Sequence, residues 1–301
     1  MSIESSPDQD LAVLAAFFNP CGYRSSVGNF RWFHQKLQRQ GVKLIFAEIA
    51  FGDGPFELED LGPVLQVRTE NVMWQRERLV NHLIGMLPGS YTKIAWVDTD
   101  IVFSNEHWYA ETSEALDSVP VVQPYRSAVW LDQQGGIMFE KLGVVAAADL
   151  QPHLLGDPIG THPGFAWAAR RELLEKHGVP DFCIVGGNDI VFANAIYGIQ
   201  RPEEWDPYST PLRKKINDWS KRFNNDINGS ATHVDGFAYH LWHGNRKYRQ
   251  YLERHRALRQ YDFDPEVHIE VDGDGTWRWT TEDQGMKDTV MNFFRNRRED
   301  G

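Results

Sequence analysis

Apolar residues along the first hundred positions fall into two rhythms. Leu11–Phe18 is an almost unbroken apolar run closed by Asn19-Pro20-Cys21-Gly22, which predicts a strand buried on both faces. Over 29–40, Phe30, Phe33 and Leu37 recur at helical spacing until Gly41 stops them. Residues 42–50 form a second apolar run ending at Phe51-Gly52-Asp53-Gly54, and 64–67 reads as a short third strand. Across 73–87, Leu79, Leu83 and Leu87 mark one helical face, ended by Pro88-Gly89. Lys93–Val97 is apolar after its first residue and stops at Asp98-Thr99-Asp100. The alternation predicts an α/β fold with a largely parallel front sheet. Ligands of such sheets sit beyond the carboxyl ends of the strands. The loops after Phe18, Ala50 and Val97 are therefore expected to face one crevice.

The second half is less regular. Val121–Gln123, 136–139, 165–169 and 237–242 read as short strands. Arg171–His177, 188–197 and 286–298 read as helices, and 245–258 as a strongly basic one. The stretch 201–230, with Trp205 and Trp219, is polar and predicts an irregular or helical excursion. Gly273-Asp274-Gly275 between two β-rich runs signals a hairpin. Residues 1–10 read as a flexible tail. No repeat or linker interrupts the chain, so a single domain is expected.

Composition narrows the function. With 42% hydrophobic and 24% charged residues among 301, the chain is of soluble globular type. Its net charge of −11 makes nucleic acid an unlikely partner, although a local basic groove is compatible with it. No run approaches the ~18–20 apolar residues of a membrane span. The polar start MSIESSPDQD has no secretory character. Cys21 and Cys183 form no metal or disulfide pattern, and a cytoplasmic location is the default expectation.

Three constellations carry chemistry. Asp98 and Asp100 end an apolar strand one residue apart. In an extended chain they point the same way, and two carboxylates together ask for a cation. A hard divalent ion with open positions suits phosphate oxygens. The alternative is a solvated acidic turn. His240 and His243 are three apart and share a face on a helical turn but not on a strand, and neutral imidazole ligates transition metals. The alternative is one core and one capping histidine. Gly186-Gly187-Asn188-Asp189 lets a backbone approach a ligand closely, with an acid in place as a general base. The alternative is a helix cap. Arg76, Arg78 and Asn81 on the 73–87 helix either touch a nucleotide or form a solvated face. Arg246-Lys247-Tyr248-Arg249 either neutralises phosphate or is helix surface. The eleven tryptophans suit carbohydrate stacking or a core.

Taken in order, these motifs resemble metal-dependent glycosyltransferases of the GT-A fold, in the β-1,4-galactosyltransferase and polypeptide N-acetylgalactosaminyltransferase group. Phe17-Phe18-Asn19 resembles the first-strand loop that meets the nucleotide. Gln75-Arg76-Glu77-Arg78-Leu79-Val80-Asn81 resembles the Arg-x-Lys-Leu-Leu-Asn segment beside the uridine. Trp96-Val97-Asp98-Thr99-Asp100 matches the Asp-x-Asp strand end. His162-Pro163-Gly164 and the residues after it resemble the segment lining the donor sugar. Gly186-Gly187-Asn188-Asp189 resembles Gly-Gly-Glu-Asp, and His240-Leu241-Trp242-His243 resembles Met-x-x-His. Asn188 replaces the first acid, Ile190 follows where the galactosyltransferases continue acidic, and Val185 stands in place of their tryptophan.

The resemblance implies a Rossmann-like, nucleotide-sugar-binding mixed sheet flanked by helices. It implies a nucleotide-binding half at about 11–105, an acceptor and metal half at about 106–258, and a C-terminal hairpin and helix extension at 259–301. It implies an inverting hexosyltransferase that uses Mn2+ or Mg2+ and a UDP-sugar, with a glycan or small hydroxyl compound as acceptor and a modified base as the remaining alternative. Asp98, Asp100, His240 and His243 are the implied metal ligands and Asp189 the base. Phe18, Asn19, Arg76, Asn81, Asp98, Gly164 and Gly187 are the implied donor contacts. Two other classes remain: a metal-dependent sugar-nucleotide nucleotidyltransferase or phosphoesterase, and a non-catalytic carbohydrate-binding protein on this scaffold.

Overall fold

The first strand explains the sheet. In β1 (Leu11–Phe18) successive side chains point to opposite faces, and both faces are covered, so every position but the last is buried. Leu11, Val13, Ala15 and Phe17 join one core cluster, while Ala12, Leu14 and Ala16 join the other. The computed structural model of the protein describes residue 3 and residues 10–154, 160–200 and 207–301. The expected tail and Trp205 thus lie outside the described residues, save for Ile3 and Asp10. Asp10 accepts from Lys93 Nζ at 2.8 Å.

α1 (Arg24–Arg39) buries Phe30, Phe33 and Leu37 on the first cluster. β2 (Leu44–Phe51), β3 (Leu65–Thr69), α2 (Arg76–Met86) and β4 (Lys93–Val97) complete the front half. β5 (Ile101–Phe103), α3 (Trp108–Ser118), β6 (Val121–Gln123), β7 (Ser127–Leu131), β8 (Ile137–Gly143) and α4 (Val144–Leu150) follow. Next come β9 (Thr161–His162), β10 (Ala166–Arg170), α5 (Arg171–His177), α6 (Asn188–Ile196) and α7 (Thr210–Ile227). The chain continues through β11 (Ala231–His233), β12 (Phe237–His240), α8 (Glu253–Arg259), β13 (Ile269–Val271), β14 (Trp277–Trp279) and α9 (Gln284–Asn296).

The main sheet has the order β11-β6-β10-β4-β1-β2-β3. β4, β1, β2 and β3 run parallel, while β10 is antiparallel to β4 and β6, so the sheet is mixed and flanked by helices. A second sheet, β5-β12-β7-β8-β9, includes β5, which directly follows the turn after β4. Its β5–β12 register places His240 opposite Ile101, the residue after Asp100. No described helix is long and apolar enough to cross a membrane.

Two sequence expectations need correction. The basic helix over 245–258 is broken: a 3-10 turn covers Arg246–Arg249, Gln250 is left-handed at φ 50°, and α8 starts afresh. Asn245 stops a continuous helix by accepting from the Lys247 N–H at 3.0 Å, and Arg249 turns inward to long-range partners. The strand expected over 237–242 ends at His240, where Leu241 N–H donates to the Asp100 carbonyl at 2.7 Å. β5, α3, β7, α4, β9 and β11 have no counterpart in the sequence pattern.

Candidate active site

The carboxyl end of β4 opens the site. Asp98 donates its N–H to the Phe165 carbonyl at 2.7 Å, which ties the β4 loop to β10. Residues 99 and 100 then turn. The two carboxylates therefore part company: extended geometry would have aimed them together, but a turn does not. Asp98 faces Arg76, with Nη2 to Oδ1 at 2.7 Å. Asp100 faces the histidines, 3.0 Å from His243 Nε2 and 3.6 Å from His240 Nε2. One ligand atom from each of Asp100, His240 and His243 lies within 4.8 Å of the others. Asp98, expected as a fourth ligand, is not in that cluster. The histidines meet without the helical turn that their spacing suggested. His240 ends β12, His243 lies in the loop beyond, and their Nε2 atoms are 2.8 Å apart.

The electrostatics follow from burial. Burial pushes the Asp98 carboxyl up to about 7, aided by Asp100, Asp189 and Glu77 and opposed by Arg76. Burial also works to raise Asp100, but His240, His243 and Arg249 outweigh it and hold the carboxyl well below its usual range. Burial lowers His240 to about 3, so its imidazole is neutral. Its ring stacks on Phe165, a non-glycine residue at φ 73°.

Behind His243 stands a segment that sequence reading missed. Arg249 donates to the His243 carbonyl at 2.7 Å, also contacts its ring, and gives Glu299 Oε1 a 2.8 Å bond. Glu299 also accepts from Arg297 Nε at 2.6 Å and from Ser26 Oγ at 2.8 Å, and its Oε1 lies 3.6 Å from His243 Nδ1. Burial opposes the Glu299 charge, but Arg297, His243 and Arg249 keep it ionised. Asp300 accepts from the N–H groups of Arg24 and Ser25 at 3.1 and 2.8 Å, holding this segment on the first turn of α1. The run Arg297-Arg298-Glu299-Asp300 looks like a solvated charge cluster, so no local signal betrayed it.

Asp189 sits in the first turn of α6, and no side chain caps that helix. Its Oδ2 would be 2.6 Å from a Cβ on Gly164, so a larger residue there would displace the Asp189 carboxylate. Gly186 and Gly187 have φ of 82° and 95°, and a Cβ on Gly187 would meet His255 Nε2 at 3.0 Å. Asn188 is buried. Its oxygen accepts from the Cys183 N–H at 3.0 Å and its amide donates to Glu77 Oε2 at 3.0 Å. An acid at 188 would face Glu77 with like charge, which accounts for the amide. Glu77 also accepts from Trp74 Nε1 at 2.9 Å and pairs with Arg76 at 3.0 Å.

One cleft of about 310 Å³ joins these parts, lined by Phe18, Asn19, Arg76, Asp98, Asp100, Gly164, Gly187, Asp189, His240 and His243. Trp74, Trp130, His162, Arg246, Arg249, Arg254, Arg297 and Glu299 also line it. Phe18 packs edge-on to Trp74 at 5.2 Å. The Asn19 amide is taken by the Tyr23 carbonyl and Glu57 Oε2, both at 3.0 Å. Asn81, expected beside a nucleotide, is outside the lining. It donates to the Val179 carbonyl at 2.8 Å and to Asp181 at 2.9 Å, fastening α2 to the loop after α5. Arg78 likewise pairs with Asp181 at 3.0 Å.

No protein-family model matches the chain, and no curated protein does. Solved structures do match. The catalytic domain of Drosophila β1,4-galactosyltransferase 7 with xylobiose is 14% identical, with a TM-score of 0.40 over 87% of this chain and 85% of that one. A mutant of that enzyme with manganese, UDP-Gal and xylobiose is 13% identical, with a TM-score of 0.41 and the same coverage. The 4-diphosphocytidyl-2C-methyl-D-erythritol synthase of Anaerococcus prevotii is 11% identical, with a TM-score of 0.33 over 75% of this chain and 86% of that one.

Proposed function

We propose that the protein is a metal-dependent glycosyltransferase that moves a hexose-type sugar from a UDP-sugar to an acceptor hydroxyl with inversion. One observation carries this reading: Asp100, His240 and His243 meet within 4.8 Å in the same cleft as Asp189, at the carboxyl ends of the parallel strands.

The donor set fits a divalent ion. Asp100 Oδ1 is buried and has no hydrogen-bond partner among the described residues. The neutral His240 imidazole keeps a lone pair to offer. One carboxylate with two imidazoles suits Mn2+ and leaves positions for phosphate oxygens. When bound, Mn2+ or Mg2+ supplies Lewis-acid stabilisation of charge on the departing diphosphate.

The chain's own residues do the rest. Arg246 and Arg249 offset diphosphate charge with charge-assisted hydrogen bonds. Phe18, Asn19 and the Arg76–Asp98 pair line the nucleotide's path. Gly164 and Gly187 let the donor sugar approach the backbone. Asp189 takes the proton of the acceptor hydroxyl as that oxygen bonds to the anomeric carbon. The bond from that carbon to the diphosphate oxygen breaks on the opposite face, and its electron pair leaves with the UDP. A base of this kind is worth ~10²–10⁴-fold. The two free thiols, Cys21 and Cys183, suit the reducing cytoplasm.

The test is incubation with a panel of UDP-sugars and Mn2+. Slow release of UDP, stopped by EDTA, is the expected outcome. Sugar 1-phosphate in its place, with UMP or, when pyrophosphate is added, with UTP, overturns the reading in favour of a phosphoesterase or a nucleotidyltransferase, and binding without turnover favours a carbohydrate-binding protein.

A further inference from the structure

The cleft contains a cation that the ligand cluster does not use. Arg254, on α8, is only 9% exposed. Its guanidinium lies on the Gly186–Gly187 turn: a Cβ on Gly186 would stand 3.3 Å from Nη1, and one on Gly187 3.6 Å from Nη2. The rings of Tyr251 and Phe293 flank it at 5.6 and 5.3 Å. Aromatic faces attract a cation but accept no strong hydrogen bond. Its Nε is buried without a partner, and among the described residues no carboxylate pairs with it.

Of the other arginines lining the cleft, Arg246, in the loop after His243, also has a buried Nε without a partner and lies over the Trp130 and Phe139 rings, whereas the rest are paired. Arg76 has Asp98 and Glu77, and Arg249 and Arg297 share Glu299. Arg297 sits on the same Phe293 ring at 5.6 Å, so it adds like charge near Arg254. Burial and Arg297 oppose the Arg254 charge, and Asp189 attracts it without an ion pair closing between them; an incoming anion would relieve what remains. The guanidinium fork matches a planar or tetrahedral oxyanion. The turn beneath it leads directly into Asp189, with Trp74 packed closely over Gly186 and His255 over Gly187.

We infer that Arg254 forms an oxyanion subsite for the acceptor. The acceptor is then a hydroxyl compound that also carries a phosphate or carboxylate. Its anion seats on the Arg254 fork while its hydroxyl meets Asp189. This rests on the transferase reading above. The donor diphosphate has its own cation in Arg249, which belongs to the His243 loop rather than to the Gly186–Gly187 turn.

The experiment titrates inorganic phosphate calorimetrically into protein saturated with UDP and Mg2+. Phosphate should bind in the presence of UDP. Arg254→Gln should weaken it at least about tenfold, as expected for losing charged hydrogen bonds. Arg254→Lys should retain part of the affinity, having the charge without the fork. Equal phosphate affinity in the unaltered protein and Arg254→Gln overturns the inference. So does competition between phosphate and UDP with weaker UDP binding in Arg254→Gln, which assigns the arginine to the donor diphosphate. If Arg254→Gln does not fold, a crystal of the unaltered protein grown with UDP, Mg2+ and phosphate decides: phosphate away from Arg254 refutes the subsite. If the unaltered protein binds no UDP with either metal, the transferase reading falls separately. Titrating phosphate into the free protein then still decides the arginine's role.

Discussion

The two ends of the cleft are built in different ways. The Asp100 end draws on three distant segments: the loop after β4, the end of β12 with its following loop, and Arg297 to Glu299. Its carboxylates are answered within the protein, because Asp100 faces two imidazoles and Glu299 is shared by Arg249 and Arg297, while Arg246 lies over the Trp130 and Phe139 rings with its Nε unpartnered. The Asp189 end is built on one local turn, in which Gly186 and Gly187 take left-handed backbone under Trp74 and His255 and Asn188 anchors the loop to Glu77. There one acid stands against Gly164 and one arginine lacks a carboxylate. Charges paired within the protein hold a site's shape, whereas charges left unpaired against a cleft await what enters it.

That contrast can be broken most severely at Asp100. Asp100→Ala should abolish metal-dependent UDP binding and reduce transfer to the metal-free level, with circular dichroism unchanged. Equal UDP affinity with and without Mn2+ in the unaltered protein, by calorimetry, would contradict it. At the other end, Asp189→Asn should lower transfer by at least ~10²-fold while leaving UDP-sugar affinity nearly unchanged. Near-normal transfer would show that the base lies elsewhere.

Smaller effects test what stands behind each end. Glu299→Gln keeps the shape of the side chain but removes the charge that orients Arg249 and faces His243. Outer partners of metal ligands are worth roughly 10–100-fold in affinity. Mn2+ binding, read by electron paramagnetic resonance, should weaken by about that range, and unaltered binding would make Glu299 a purely structural residue. Asn81→Ala removes bonds that fasten α2. It should cost roughly 1–3 kcal/mol in a urea melt and leave UDP affinity unchanged. A loss of UDP affinity without a loss of stability would restore Asn81 to the nucleotide site.

Much of this was legible in the chain. β1 and β4 agree with their apolar runs to the residue, because strands covered on both faces need nothing but apolar side chains. Asp100, Asp189, His240 and His243 could be singled out because their residue types and short spacings are themselves chemical signals. Asn81 misled because a resemblance along a helix does not say which side faces the cleft. The basic stretch after His243 misled because its charges resemble a helix surface, while Arg249 is in fact committed to a carboxylate 50 residues away in the chain.

Local pattern therefore determined the order of strands and helices in the front half, the strand-end carboxylates and the glycine turn before Asp189. Each of these depends on side chains within a few residues, where periodicity and backbone sterics act directly. Tertiary structure alone decided that Asp98 turns to Arg76 while Asp100 turns to the histidines. It also decided that Glu299 backs His243 and that Arg254 lies bare on the Gly186–Gly187 turn. Those outcomes are set by the β5–β12 register and by helices packing from distant parts of the chain. Burial then fixes the charge of each group only after its neighbours are in place.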